Sequence, residues 1–177
     1  MKPIIFRDRV KLYANAGNGG PGCVSFRREK CIPKGGPDGG DGGHAGSVIL
    51  RCDIDEDSLL PIYYEPHRKS KNAQHGMGSN CHGKNSEDCI VKVAPGTVVI
   101  DVETGDFVGE LINHGEQIVV AKGGHGGIGN ARFKSSTNRA PRQFTEGTEG
   151  EQCTLWLELK LISDVGLVGY PNAGKST

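Results

Sequence analysis

The stretch Gly35 to Gly46 reads Gly-Gly-Pro-Asp-Gly-Gly-Asp-Gly-Gly-His-Ala-Gly. Its glycines fall into two registers of period three: Gly36, Gly39 and Gly42, then Gly40, Gly43 and Gly46. The spacing returns at Gly17 with Gly20, at Gly19 with Gly22, at Gly123, Gly126 and Gly129, and at Gly124 with Gly127. Three residues per turn is the repeat of the left-handed polyproline II helix, and glycine at every third place lets such helices pack axis against axis. A flexible glycine–serine linker has no such period. Collagen needs an unbroken repeat and two further chains, and these tracts are too short. The period therefore favours an ordered bundle of glycine-rich polyproline II helices over a set of loose glycine loops.

The 177 residues allow one domain or a little more. With 21 basic and 21 acidic residues the formal charge is zero. The chain as a whole carries no field of the nucleic-acid-binding type, so any such function requires local segregation of charge. Ile4-Ile5-Phe6 is too short for a signal-peptide core, and no apolar run approaches a membrane span. The six cysteines include no Cys-x-x-Cys pair, and their spacing fits no zinc ribbon. Cys23, Cys52, Cys89 and Cys153 stand where a strand pattern wants small apolar residues. Reduced thiols in a cytoplasmic protein are the expectation.

Around the glycine tracts the chain reads as strands. Phe6, Val10, Leu12 and Ala14 share one parity, as do Val48, Leu50 and Cys52. Cys23–Phe26 and Cys89–Val93 read as further strands. Thr97–Val102, Phe107–Ile112 and Glu116–Ala121 look like an antiparallel meander joined by turns at residues 103–106 and 113–115. Leu155, Leu157, Leu159 and Leu161 alternate with Trp156, Glu158 and Lys160, a long strand with one wet face. Asp53 to Asp57 reads as an exposed acidic turn, because it lacks the glycine and terminal glutamate of a calcium loop. No segment shows a helical period.

Asp164-Val165-Gly166-Leu167-Val168 reads as a buried strand running into Gly169, Tyr170, Pro171, Asn172, Ala173, Gly174, Lys175 and Ser176. That is Gly-x-x-x-x-Gly-Lys-Ser, a phosphate-binding loop. Its backbone N–H groups cradle the α- and β-phosphates, lysine reaches the β- and γ-phosphates, and the serine hydroxyl takes Mg²⁺. The helix that should follow lies beyond Thr177, so the 177 residues are expected to be folded but inert towards GTP. Asp106-Phe107-Val108-Gly109 has the Asp-x-x-Gly form of GTPases but precedes the loop and sits in a hairpin. No catalytic residue is assigned.

These residues carry a family resemblance. Gly22-Cys23-Val24-Ser25-Phe26-Arg27-Arg28-Glu29-Lys30, the tract from Pro33 to Gly43, Gly129–Arg142 and Asp164–Thr177 resemble the Obg GTPases over essentially the whole chain. The resemblance implies a mainly β fold: a glycine-rich polyproline II bundle standing on a small β-barrel over residues 1–162, then the first strand and phosphate loop of an α/β GTPase domain over 163–177. It implies GTP/GDP and Mg²⁺ as ligands, with Gly169 to Ser176 holding the nucleotide and Ser176 the metal. It also implies a role in assembly of the large ribosomal subunit and a ribosome-associated monomer in the cytoplasm.

The residues themselves suggest where RNA would bind. Arg27, Arg28, Lys30 and Lys34, then Lys84, then Arg132, Lys134, Arg139 and Arg142 lie in irregular segments that adjoin glycine-rich chain. Stiff glycine helices would deliver these loops to one end, where they would meet RNA phosphates. Phe26, Phe133 and Phe144 are stacking candidates, with core packing as their alternative. The acids of 53–57 and 146–151 would have to sit elsewhere. A different class remains open: a protein-docking or stress-sensing module that controls the attached GTPase.

Overall fold

A computed structural model describes residues 8–30 and 35–160. Its strands are β1 (Arg9–Asn15), β2 (Val48–Cys52), β3 (His67–Lys69), β4 (Cys89–Val93), β5 (Thr97–Asp101), β6 (Phe107–Leu111), β7 (Gln117–Ala121) and β8 (Gln152–Leu159). They form a five-stranded sheet, β3-β1-β8-β5-β6, and a three-stranded sheet, β4-β2-β7. Alternation decides which face is buried. Val10 and Leu12 stand opposite Leu157 and Leu155 across the β1–β8 pair, and all four point inward. The second sheet adds Val48, Leu50, Val91 and Val93, so one apolar core lies between the sheets.

The expected barrel is not closed. β7 leaves β6 and bonds β2 in the other sheet, so the meander holds only for β5 and β6. Gly109 of β6 lies against the Ile118 side chain of β7, whose terminal Cδ1 methyl would have to shift to admit a Cβ. The two strands touch there through a side chain, without a hydrogen-bonded ladder. Phe107 and Val108 remain exposed at the free edge of β6.

Three further expectations need correction. Cys23–Phe26 is not a strand; only one bridge, Phe26 with Pro37, forms there. Asp53 is buried, because its carboxylate receives Lys92 at 2.7 Å and caps the N–H of Asp55. A short helix, α1 (Leu60–Tyr64), packs Ile62 into the core with Pro61 in its first turn. Five residues are too few to show a period. Asn130–Phe133 adds a 3-10 turn.

The described cysteines are free thiols. Burial pushes the Cys153 thiol up to about 11, with Asp101, Glu151 and Glu103 adding to the shift, and its S–H donates to the Val120 carbonyl. No helix among the described residues is long and apolar enough to cross a membrane.

The glycine-rich chain makes three excursions from the sheets. The first segment, residues 16–22, leaves β1, and the second, 39–46, returns to β2. The third, 71–77, leaves β3, and the fourth, 81–87, returns to β4. The fifth, 123–129, leaves β7, and the sixth, 145–150, returns to β8. Cross-segment hydrogen bonds recur every three residues, as the polyproline II repeat requires. Gly17, Gly20 and Cys23 N–H donate to the carbonyls of Gly46, Gly43 and Gly40. Gly19 and Gly22 donate to Thr148 and Thr145, while Gly124 and Gly127 donate to Gly17 and Gly20. The first segment therefore bonds to the second, third, fifth and sixth, and the second to the first, third, fourth and fifth. Two inner helices are ringed by four outer ones.

No tract glycine has a positive φ; among described glycines only Gly96, Gly105 and Gly115 do. The tract glycines are required by contact. A Cβ on Gly39, Gly42, Gly43 or Gly126 would come well within 3.0 Å of a neighbouring carbonyl. Gly36 is the exception, with only the Lys134 ammonium 3.9 Å away.

Candidate nucleic-acid interface

The three outgoing segments run parallel and the three returning ones antiparallel to them. The described parts of their connecting loops, 24–30 with 35–38, 78–80 and 131–144, therefore lie together at the end of the bundle remote from the sheets. Arg27, Arg28 and Lys30 sit on the first loop and Arg132, Lys134, Arg139 and Arg142 on the third. All seven are exposed. Lys84 is elsewhere. Its carbonyl accepts the Gln74 N–H, one layer below the tip, on the outer flank of the fourth segment. Lys34 and the whole phosphate loop, Gly169 to Ser176, lie outside the described residues.

One buried side chain fastens the two basic loops, and the sequence did not single it out. Asn130, fully buried, accepts the Gly39 N–H at 2.9 Å and the Ser25 N–H at 3.4 Å through Oδ1. Its Nδ2 donates to the carbonyls of Ser25 at 3.0 Å and Pro141 at 3.1 Å. An amide has the two donors and two acceptor lone pairs this requires. No spacing rule marks such a residue, because its partners lie 11 to 105 positions away.

Between the loops opens a cleft of about 760 Å³ lined by Gly35, Gly36, Lys134, Ser135, Ser136, Arg139 and Ala140. Part of the tip charge is already engaged: Arg27 pairs with Glu29 at 3.0 Å and Arg132 with Asp41 at 2.8 Å. The hydrogen bond and charge of Glu29 hold the Arg27 guanidinium above its ordinary value, and Arg27 holds the Glu29 carboxyl below its own. Arg28, Lys30, Lys134, Arg139 and Arg142 have no ion pair among the described residues. Phe26 and Phe133 are half-buried and Phe144 exposed, so none has joined the core. Asp53 to Asp57 lies at the sheet end, next to β2. The acids of 146–151 run down the sixth segment, so Glu146, beside Thr145, stays near the tip.

A family model described as GTP1/OBG matches residues 7–161. A protein named GTPase Obg from Syntrophotalea carbinolica is 57% identical over 172 residues, covering 97% of this chain and 48% of that protein. Those of Persephonella marina, at 54%, and Chloroherpeton thalassium, at 51%, match 97% and 98% of this chain and 51% and 52% of their own length. The chain thus spans about half the length of the curated relatives it matches. On the family match and these identities, over a bundle and sheets of the expected kind, the chain belongs to the Obg family of GTPases.

Proposed function

We propose that residues 1–162 form the RNA-docking domain of a ribosome-assembly GTPase, and that residues 163–177 begin its nucleotide-binding domain. The observation that carries this is the gathering of unpaired cations on loops held at one end of a stiff bundle. Polyproline II chain rises ~3.1 Å per residue, so six residues carry a loop nearly 20 Å from the sheets. At that reach the cations enter a crevice of the large subunit's RNA, phosphates meet arginine and lysine, and Phe144 offers a stacking face.

Gly169 to Ser176 would hold GTP or GDP. The donor set suits them, since backbone N–H groups and the Lys175 ammonium match phosphates, and the Ser176 hydroxyl matches an oxygen-seeking Mg²⁺. Bound Mg²⁺ supplies positive charge to the phosphates during hydrolysis. In this reading the protein acts as a cytoplasmic, ribosome-associated monomer.

Changing Arg139 and Arg142 to glutamate tests the reading. Binding to purified large ribosomal subunits should weaken at least tenfold and lose part of its salt dependence, which reports phosphate contacts. Melting temperature and, in the full-length protein, basal GTP hydrolysis should not change. Undiminished binding would favour the alternative, a protein-docking or stress-sensing module, for which exposed Val24, Met77 and Phe144 near the tip offer an apolar surface.

A further inference from the structure

The bundle has a second polar concavity, on its flank. The third and fourth segments run antiparallel, with Gln74 N–H donating to Lys84 O and Met77 N–H to Cys81 O. Between them lies a groove of about 210 Å³ lined in part by Lys71, Asn72, Lys84, Asn85 and Glu87. Lys71 and Lys84 are exposed and have no ion pair among the described residues.

The two asparagines are oriented by the backbone. Asn72 Oδ1 accepts the Asn18 N–H at 2.9 Å, and Asn85 Oδ1 accepts the His44 N–H at 2.7 Å. With each oxygen turned to the bundle, each Nδ2 keeps its donors without a described partner. Two ammonium groups and two fixed amides thus give a row of donors in which Glu87 is the one carboxylate. Such a row suits an anion with several oxygens. Asn85 also lines the adjoining groove on the other side of the fourth segment, together with His82, Arg132 and the Asp41 carboxylate that pairs with Arg132. The donor row is thereby joined to the tip, and phosphates spaced along a chain fit it better than a single small anion.

We propose that this flank groove is a second RNA-backbone site, carrying the strand that leaves the tip towards the sheets. It rests on the tip reading above and assigns Lys84 a role that its distance from the tip would otherwise deny it. Lys71, Asn72 and Asn85, which the sequence did not mark, join the contact surface. In this proposal the ammonium and amide groups take phosphate oxygens, so the site adds affinity without sequence preference.

The test uses the whole chain, purified large ribosomal subunits and a salt titration. Lys84→Gln should weaken binding severalfold and reduce the salt slope by about one. Glu87→Gln, which removes the opposing carboxylate, should tighten binding severalfold. Neither change touches the backbone contacts of the bundle, so melting temperatures should match. If both variants bind like the parent while the Arg139 and Arg142 double variant is weakened, the flank site is wrong and the tip reading stands. If all three bind like the parent, the tip reading itself fails.

Discussion

In the sheets, Leu12, Leu50 and Leu157 are fully buried against one another and their neighbours. In the bundle, Gly20, Gly42 and Gly126 bring backbone to within contact of backbone, with no apolar side chain between. The sheets are held by area removed from water, at about 1.5–3 kcal/mol for each large side chain. The bundle is held by repeated N–H···O=C bonds, each worth about 0.5–1.5 kcal/mol net, against the high entropy cost of ordering glycine. A core of side chains adjusts its rotamers around a change. A lattice of carbonyls has nothing to adjust. The stiffness that would hold cations far from the sheets is thus inseparable from intolerance of a single methyl group.

Valine scanning of the glycines should produce the largest effects. Gly42→Val and Gly126→Val drive side-chain atoms into carbonyls of adjacent segments and should cost about 3 kcal/mol or more. That lies within or above the range of about 2–5 kcal/mol expected for Leu157→Ala in the sheet core. Gly36→Val, at an open position, should stay within about 0.5 kcal/mol. Urea denaturation separates these outcomes. Equal midpoints for Gly42→Val and Gly36→Val would mean that the tracts are loose.

Asn130→Ala sharpens the comparison from the polar side. It strands the N–H groups of Gly39 and Ser25 and the Pro141 carbonyl, at about 1–3 kcal/mol for each group that water cannot reach, while the Ser25 carbonyl keeps the Asp38 N–H. Amide exchange should quicken at Gly39 and Ser25 while β8 keeps its protection. Uniform loss of protection over both regions would show that bundle and sheets unfold as one unit.

The smallest effect is electrostatic and belongs to the sheets. The hydrogen bond from Lys92, helped by the Asp55 N–H, holds the Asp53 carboxyl below its ordinary value. The stability linked to Asp53 is present above the unfolded carboxyl value near ~3.9 and is lost as pH falls through the lower folded value. Lys92, held above its ordinary value by Asp53, contributes below that value and stops as pH rises through the folded one. Lys92→Met should therefore flatten the fall in melting temperature on acidification towards pH ~2. An unaltered acid limb would place the sensitive carboxylate elsewhere.

Much was legible in the chain itself. Period three marked the first, second and fifth segments, because packing at a polyproline II axis forbids a Cβ at fixed intervals. Period two marked β1, β2 and β8, because one face of each is buried. The phosphate-loop motif and the basic loops were readable for the same reason, since their chemistry is local. The third, fourth and sixth segments were not legible. They carry only one or two glycines each, too few to mark a period, although Gly147 and Gly150 keep the spacing. Tertiary structure alone decided that β7 joins β2, that Asp53 is buried against Lys92, that Lys84 leaves the tip, and that Asn130 clamps two loops. Each depends on partners distant in sequence, and a local period carries no information about which distant backbone will be there to meet it.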